Sequence, residues 1–270
     1  MANESSGPVA SADAVDPAGP VRGRRVLVVG GSAGIGRAVG LTLAAAGARV
    51  AFAARRSALC EEVARLAGGG AIGLACDVTS GAACERVVAA AAEQFGGLDA
   101  VVYTAAKMPV ISLAVADEEC WRRTLETNVI GAALVTRAAL PRLLEAGGSA
   151  VYLSTVASQK GPWPGMGVYG SSKAALARMI DTWRSEYPEL GFTRIDLGPT
   201  AEGATTTEYY PSGHAHQVRW PDMGLVSGEE VPMDSVCRLV TQVLADPARF
   251  WDVTVQPRDP ARPWNNPFVR

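Results

Sequence analysis

The stretch "VLVVGGSAGIG", residues 26–36, decides how the rest of the chain is read. An apolar run stops at Gly30, and two further glycines, Gly34 and Gly36, lead into an amphipathic helical segment. Gly30 permits a tight turn, Gly34 lets backbone approach a ligand, and Gly36 lets helix and strand pack closely. The start of the helix offers free N–H groups and the positive end of its dipole to an anion. A plain turn can also be rich in glycine. The place of this one, after a strand and before a helix, gives it a second reading as a phosphate loop.

Working outward, strand candidates fall at 25–29, 49–53, 71–76, 99–104, 149–154, 192–197 and 251–256. Helical stretches lie between them at 34–47, 57–67, 80–95, 117–145, 169–186 and 229–245. The strands are apolar on both faces, as in a parallel sheet covered on both sides. The alternation implies an α/β fold: a single Rossmann-like, doubly wound parallel sheet of about seven strands with helices on both faces. Ligands bind such sheets beyond the carboxyl ends of the strands. The domain is expected over 23–257. A small, polar, proline-bearing tail over 1–22 reads as disordered, and residues 258–270 read as extended.

The formal net charge of −2, with no run of Lys or Arg, argues against a nucleic-acid binder or an electrostatic membrane anchor. No apolar run reaches the length of a membrane span. Five scattered cysteines without a C-x-x-C fit a reduced, cytoplasmic protein without structural zinc. The 25 basic residues comprise 22 Arg and only three Lys, at 107, 160 and 173. With abundant Ala and Gly, this skew suggests a GC-rich bacterial genome, and it makes each lysine worth a local explanation.

At the end of the second strand, "VAFAARR" places Arg55 and Arg56 after Ala54. A site for NAD usually has an acid there to bind the ribose 2′-hydroxyl. Here no carboxylate repels a 2′-phosphate and two guanidiniums are available to bind one, so the expected cofactor is NADP(H). Arg55 is the better candidate, with Ser32 as a helper from the glycine loop. Asp77, just past the third strand, can accept a hydrogen bond from adenine or cap the next helix, a task also open to Thr79 or Ser80.

The glycine spacing, Asp77, the asparagine of "LETNVIG", a hydroxyl cluster after the fifth long strand and "YGSSK" occur in one order. Together they resemble the short-chain dehydrogenase/reductase family over roughly residues 24 to 200. The resemblance implies that Tyr169 is the acid–base group, that Lys173 lowers its pKa and binds ribose, and that Asn128 holds a water behind the lysine. It also implies cofactor contacts from Ile35, Val78, Ala105, Pro199 and Thr200. The chemistry is consistent with these roles. A phenol titrates near pH 10, and bringing it to neutrality takes about 4 kcal/mol of differential stabilisation, part of which an ammonium one helical turn away can supply.

The family's serine stands thirteen residues before the tyrosine, a position held here by Val156. Aligning "LSTVAS" with the family pattern puts Thr155 on that serine at the cost of one inserted residue. Ser154 and then Ser158 stand behind it as candidates. Strand alternation predicts that Ser154 and Thr155 point to opposite faces unless the strand has ended. The segment "YTAA" at 103–106 replaces two asparagines and a glycine common in the family, so local stabilisation there must differ.

Lys107 and Lys160 follow strands at the ligand edge, which raises an anionic or oxygen-rich substrate as one hypothesis and two solvated lysines as the other. Residues 199–228 fall where the family carries a substrate-covering segment. In it, Tyr209, Tyr210, Trp220 and Met223 are candidate apolar lining, and His214 and His216 candidate polar contacts. The resulting expectation is an NADP(H)-dependent enzyme that interconverts a ketone and a secondary alcohol, in a specialised-metabolism setting by family habit. A non-catalytic NADP(H) sensor and a sugar-modifying epimerase or dehydratase are the alternatives. The resemblance further implies a homodimer or homotetramer, with helices 117–145 and 169–186 at the interface.

Overall fold

The computed structural model describes residues 21–158, 163–200, 207–226 and 229–257. Lys160, most of the expected N-terminal tail, the C-terminal tail, and residues 201–206 and 227–228 of the covering segment lie outside them.

Seven parallel strands form the main sheet. In chain order they are β1 (Arg25–Val29), β2 (Arg49–Ala54), β3 (Ile72–Ala75), β4 (Ala100–Tyr103), β6 (Ser149–Thr155), β7 (Gly191–Leu197) and β9 (Asp252–Val255). Their spatial order is β3-β2-β1-β4-β6-β7-β9. The order reverses between β1 and β4, where Val29 pairs with Tyr103, and this opens a crevice at the carboxyl edge.

Alternate strand residues supply two cores. Val26, Val28, Phe52, Val102, Val151 and Ile195 pack with α1 (Gly34–Ala45), α2 (Ser57–Ala67) and α8 (Met233–Ala245). Leu27, Val29, Val101, Tyr152 and Phe192 pack with α3 (Gly81–Phe95), α5 (Gly131–Ala146) and α6 (Gly167–Glu186). A strand buried on both faces has no polar side, which is why these runs show no apolar–polar alternation in the sequence.

The chain differs from its sequence reading at three places. The expected helix 117–145 is broken into α4 (Glu118–Leu125), a π-helical turn (Glu126–Ile130) and α5. The buried Tyr103 hydroxyl donates to the Thr127 carbonyl at 2.6 Å within that turn, and a π-bulge of this kind often marks a functional site. Two three-residue strands, β5 (Met108–Val110) and β8 (Thr207–Tyr209), form a small parallel pair, followed by α7 (Pro211–Gln217). Strands this short carry no readable period, and their partners lie about a hundred residues apart in the chain. Helix α8 starts at Met233 rather than 229 because Pro232, in extended conformation, sits at its N-cap.

Candidate active site

The glycine loop closes against β4. A Cβ on Gly36 would lie 2.4 Å from both the Gly30 carbonyl oxygen and Thr104 Oγ1. Thr104 donates its hydroxyl to the Val29 carbonyl at 2.8 Å, so this threonine takes over stabilisation that the family assigns to asparagine. Ala33, the N-cap of α1, has no side chain able to satisfy the helix N–H groups, and Ala33, Ile35 and Gly36 border the crevice. Gly34 does not border it. Its φ of 52° is one that favours glycine.

The crevice is a cavity of about 870 Å³. Gly30, Ser32, Arg55, Arg56, Asp77, Val78 and Ala105 border one part of it. Ser154, Thr155, Tyr169, Lys173, Pro199 and Thr200 border the other. Arg55 and Arg56 are exposed, with no carboxylate partner among the described residues. Asp77 does not cap α3: it accepts from the Thr79 N–H and hydroxyl, and Ser80 caps the helix through the Ala83 N–H at 3.3 Å.

Tyr169 and Lys173 are both buried on one face of α6, with Lys173 Nζ 5.9 Å from the Tyr169 ring centre. The ammonium donates to the Leu153 carbonyl at 2.8 Å, which fixes it at the end of β6. Burial pushes the Tyr169 phenol up, and the negative charge of Asp196 adds to the rise. Burial pulls Lys173 down to about 8, against the opposing pull of Asp196. Without a bound cation the phenol is therefore held protonated at neutral pH.

Asp196 was missed by the sequence reading. It lies on β7, paired in register with Ser154, and accepts from Arg194 Nε at 3.1 Å. Burial raises its carboxyl, while the charge of Arg194 and the hydrogen bond from it oppose the rise. Its signal was present in "RIDL", a charged pair two apart in an otherwise buried strand, since such charges are seldom tolerated unpaired.

The hydroxyl cluster is divided by its hydrogen bonds. Ser158 donates to the Thr155 carbonyl at 2.7 Å and is committed there. Ser154 sits beside Asp196. Thr155 Oγ1 accepts from the Ala157 N–H at 3.2 Å, which leaves its own O–H free to donate at the cavity wall. Both Ser154 and Thr155 border the cavity, because β6 ends at Thr155 and gives way to a single 3₁₀ turn, Val156–Ser158.

Asn128 stands behind the cavity wall, fully buried in the π-helical turn. Its Oδ1 accepts from the Lys107 N–H at 2.8 Å. Its Nδ2 donates to the Lys107 carbonyl at 2.8 Å and to Ser172 Oγ at 2.9 Å. Ser172 in turn donates to the Tyr169 carbonyl at 2.7 Å. Lys107 borders the cavity, and its ammonium is paired with Glu208. Trp220 also borders it. His214, His216, Tyr210 and Met223 do not, and Tyr210 packs instead against the small cluster around Ile111, Cys120 and Val168. The side chain of Tyr209 lies outside the described residues.

The chain is similar to known proteins in sequence and in fold. The profile of the short chain dehydrogenase family matches residues 24–213. The chain is 34% identical over 199 residues to 11-beta-hydroxysteroid dehydrogenase A of Sesamum indicum, covering 72% of this chain and 57% of that one. It is 34% identical over 207 residues to dehydrogenase/reductase SDR family member 4 of Bos taurus, covering 75% and 71%. A short chain dehydrogenase from Burkholderia cenocepacia, solved in complex with NADP, superposes with a TM-score of 0.77 at 28% identity, covering 88% and 98%. The chain thus belongs to the short chain dehydrogenase family. It spans less than two thirds of the length of several of the curated relatives it matches.

Replacing Asn128 by Ala leaves the Lys107 N–H and carbonyl without their side-chain partner. The expected loss is about 2 to 4 kcal/mol of unfolding free energy, read as a lower urea midpoint. A change below about 0.5 kcal/mol would show that the amide is not a structural tie.

Proposed function

We propose that the protein is an NADP(H)-dependent oxidoreductase that interconverts a ketone and a secondary alcohol. The observation that carries this reading is the buried Tyr169–Lys173 pair at the wall of a cavity that begins at a glycine loop and two arginines with no carboxylate partner among the described residues. Gly30, Ser32, Ile35 and Gly36 at the start of α1 suit a pyrophosphate, and Arg55 with Arg56 suits a 2′-phosphate. Asp77 and Val78 suit the adenine. Ala105, Pro199, Thr200 and Lys173 suit the nicotinamide ribose and carboxamide. When bound, the cofactor supplies or accepts the hydride.

The chain's own groups do the rest. Thr155 donates to the carbonyl oxygen and holds it beside Tyr169, so that developing negative charge meets a fixed donor. Tyr169 gives that oxygen its proton in reduction and takes it back in oxidation. Lys173 stabilises the phenolate left behind. A phenol held protonated by burial is the form reduction needs, which favours that direction. Asn128 acts behind the pair by fixing Ser172 and Lys107. A cytoplasmic setting and a homodimer or homotetramer built on α4, α5 and α6 belong to the same proposal. Ile130 and Leu144 on that face are exposed apolar residues.

With an aryl ketone and NADPH, Tyr169→Phe should lower kcat by about a thousandfold while NADPH binds within a few-fold of native. Retained turnover would sink the acid–base assignment. In parallel, Arg55→Ala should raise KM for NADPH by about tenfold or more and leave KM for NADH nearly unchanged. Equal effects on the two cofactors would remove the 2′-phosphate reading.

The pH profile offers a separate check. Lys173 loses its proton as pH rises through about 8, so its support for the phenolate, and with it the reduction rate, should fall on the alkaline side. Asp196 holds the lysine pKa up, so Asp196→Asn should move that limb to lower pH by about half a unit or more. A limb that stays put or moves up contradicts the role given to Asp196.

A further inference from the structure

The two parts of the cavity differ in how their cations are used. Arg55 and Arg56 have no carboxylate partner among the described residues. On the Tyr169 side Lys173 is held against the Leu153 carbonyl, and the other cations at the wall among the described residues, Lys107, Arg122 and Arg123, each meet a carboxylate that also borders the cavity. Glu208 takes both Lys107 and, at 3.4 Å, Arg123. Arg122 is held by Glu119 and by Glu126, the latter at 2.8 Å. Burial alone would push the Glu208 carboxyl up, but Lys107 and Arg123 more than reverse this, so it stays ionised.

An apolar cluster also lines that side. Val110, Met166, Tyr169 and Trp220 form one buried cluster, with Met108 and Trp163 packed against it. Trp220 gives its Nε1 hydrogen to the Pro164 carbonyl at 2.8 Å, so its only polar atom is satisfied by the protein. Trp163 meets Trp220 edge to face, with ring centres 5.4 Å apart. An apolar ring gains from burial against such a wall, whereas a carboxylate would lose water and, among the described residues, meet cations already held by a carboxylate or, for Lys173, by a backbone carbonyl.

We propose that the substrate is an uncharged ketone carrying an aromatic or alicyclic ring, and that Glu208 excludes anionic ketones by occupying Lys107 and Arg123. The inference rests on the reductase reading for the word substrate, but the binding preference stands apart from turnover. For Lys107 it replaces the hypothesis, open from the sequence, that lysines around the cleft recruit an anion; Lys160 lies outside the described residues. The sequence could not show this, because Glu208 lies 101 residues from Lys107 and meets it only through the β5–β8 pair.

The test is isothermal titration of the NADP-loaded protein with para-acetylbenzoate and with its methyl ester, which share a ring and a ketone and differ in charge. The ester should bind about tenfold or more tightly than the carboxylate. Glu208→Gln, which releases the two cations but keeps a side chain of the same shape, should narrow that ratio by about fivefold or more, through tighter binding of the carboxylate. Lys107→Met, which leaves Glu208 in place, should widen it. Equal affinities for the native protein, binding of neither compound, or a ratio that neither variant moves would overturn the proposal. A preference for the ester without NADPH-dependent reduction of it would leave the proposal standing and remove the reductase reading. Reduction of the ester with equal affinities would do the reverse.

Discussion

The side chain of Asn128 is the tie on which the site depends. One amide holds both backbone groups of Lys107 and the hydroxyl of Ser172. Through Ser172 it reaches the Tyr169 carbonyl, and through Lys107 it reaches Glu208 on β8. The segment after β4, the helix that carries Tyr169 and Lys173, and β8 thus share a single anchor. The anchor needs a helix that opens just enough to present an asparagine inward. The π-helical turn supplies that opening, and the Tyr103 hydroxyl bonded to Thr127 holds it. Buried polar networks of this kind confer position only when every member is satisfied. The bonds of Asn128 meet that condition on both its oxygen and its nitrogen.

Electrostatics divides the cavity into regions with different tasks. At the glycine loop, cations stand exposed and uncommitted, as an anion requires. In the middle, burial governs: it raises the Tyr169 phenol and lowers Lys173, and Asp196 acts on both. A carboxylate this deep survives because Arg194 lies beside it, and Arg194 is itself steadied by Asp252 on β9 at 3.3 Å. At the far side, charges are present but cancelled within the protein. On the proposed reading, the same fold attracts a charged cofactor at one end and refuses a charged substrate at the other.

How much of this could be read from the sequence follows from the range of each interaction. The glycine loop, the seven long strands and the Tyr169–Lys173 pair are local patterns, set by neighbours within a helical turn or along one strand. They were legible, and the strand ends fell within a residue or two. Asn128 was singled out by resemblance, but its partners were not legible, because Lys107 and Ser172 lie 21 and 44 residues away. The β5–β8 pair and its ion pairs were illegible for the same reason. Thr104 appeared in the sequence only as a missing asparagine, and its bond to the Val29 carbonyl shows how the gap is filled. Asp196 is a different case. Its charge in a buried strand was visible, yet only the sheet register places it beside Ser154.

The most direct test of the account is a crystal structure of the protein with NADP⁺ and an alcohol analogue bound. The account predicts the 2′-phosphate on Arg55, the nicotinamide ribose on Lys173, and the analogue's oxygen within hydrogen-bonding reach of both the Tyr169 and Thr155 hydroxyls. A structure with that oxygen on Ser154 or Ser158 and Thr155 turned away, or with the 2′-phosphate distant from both arginines, would contradict it.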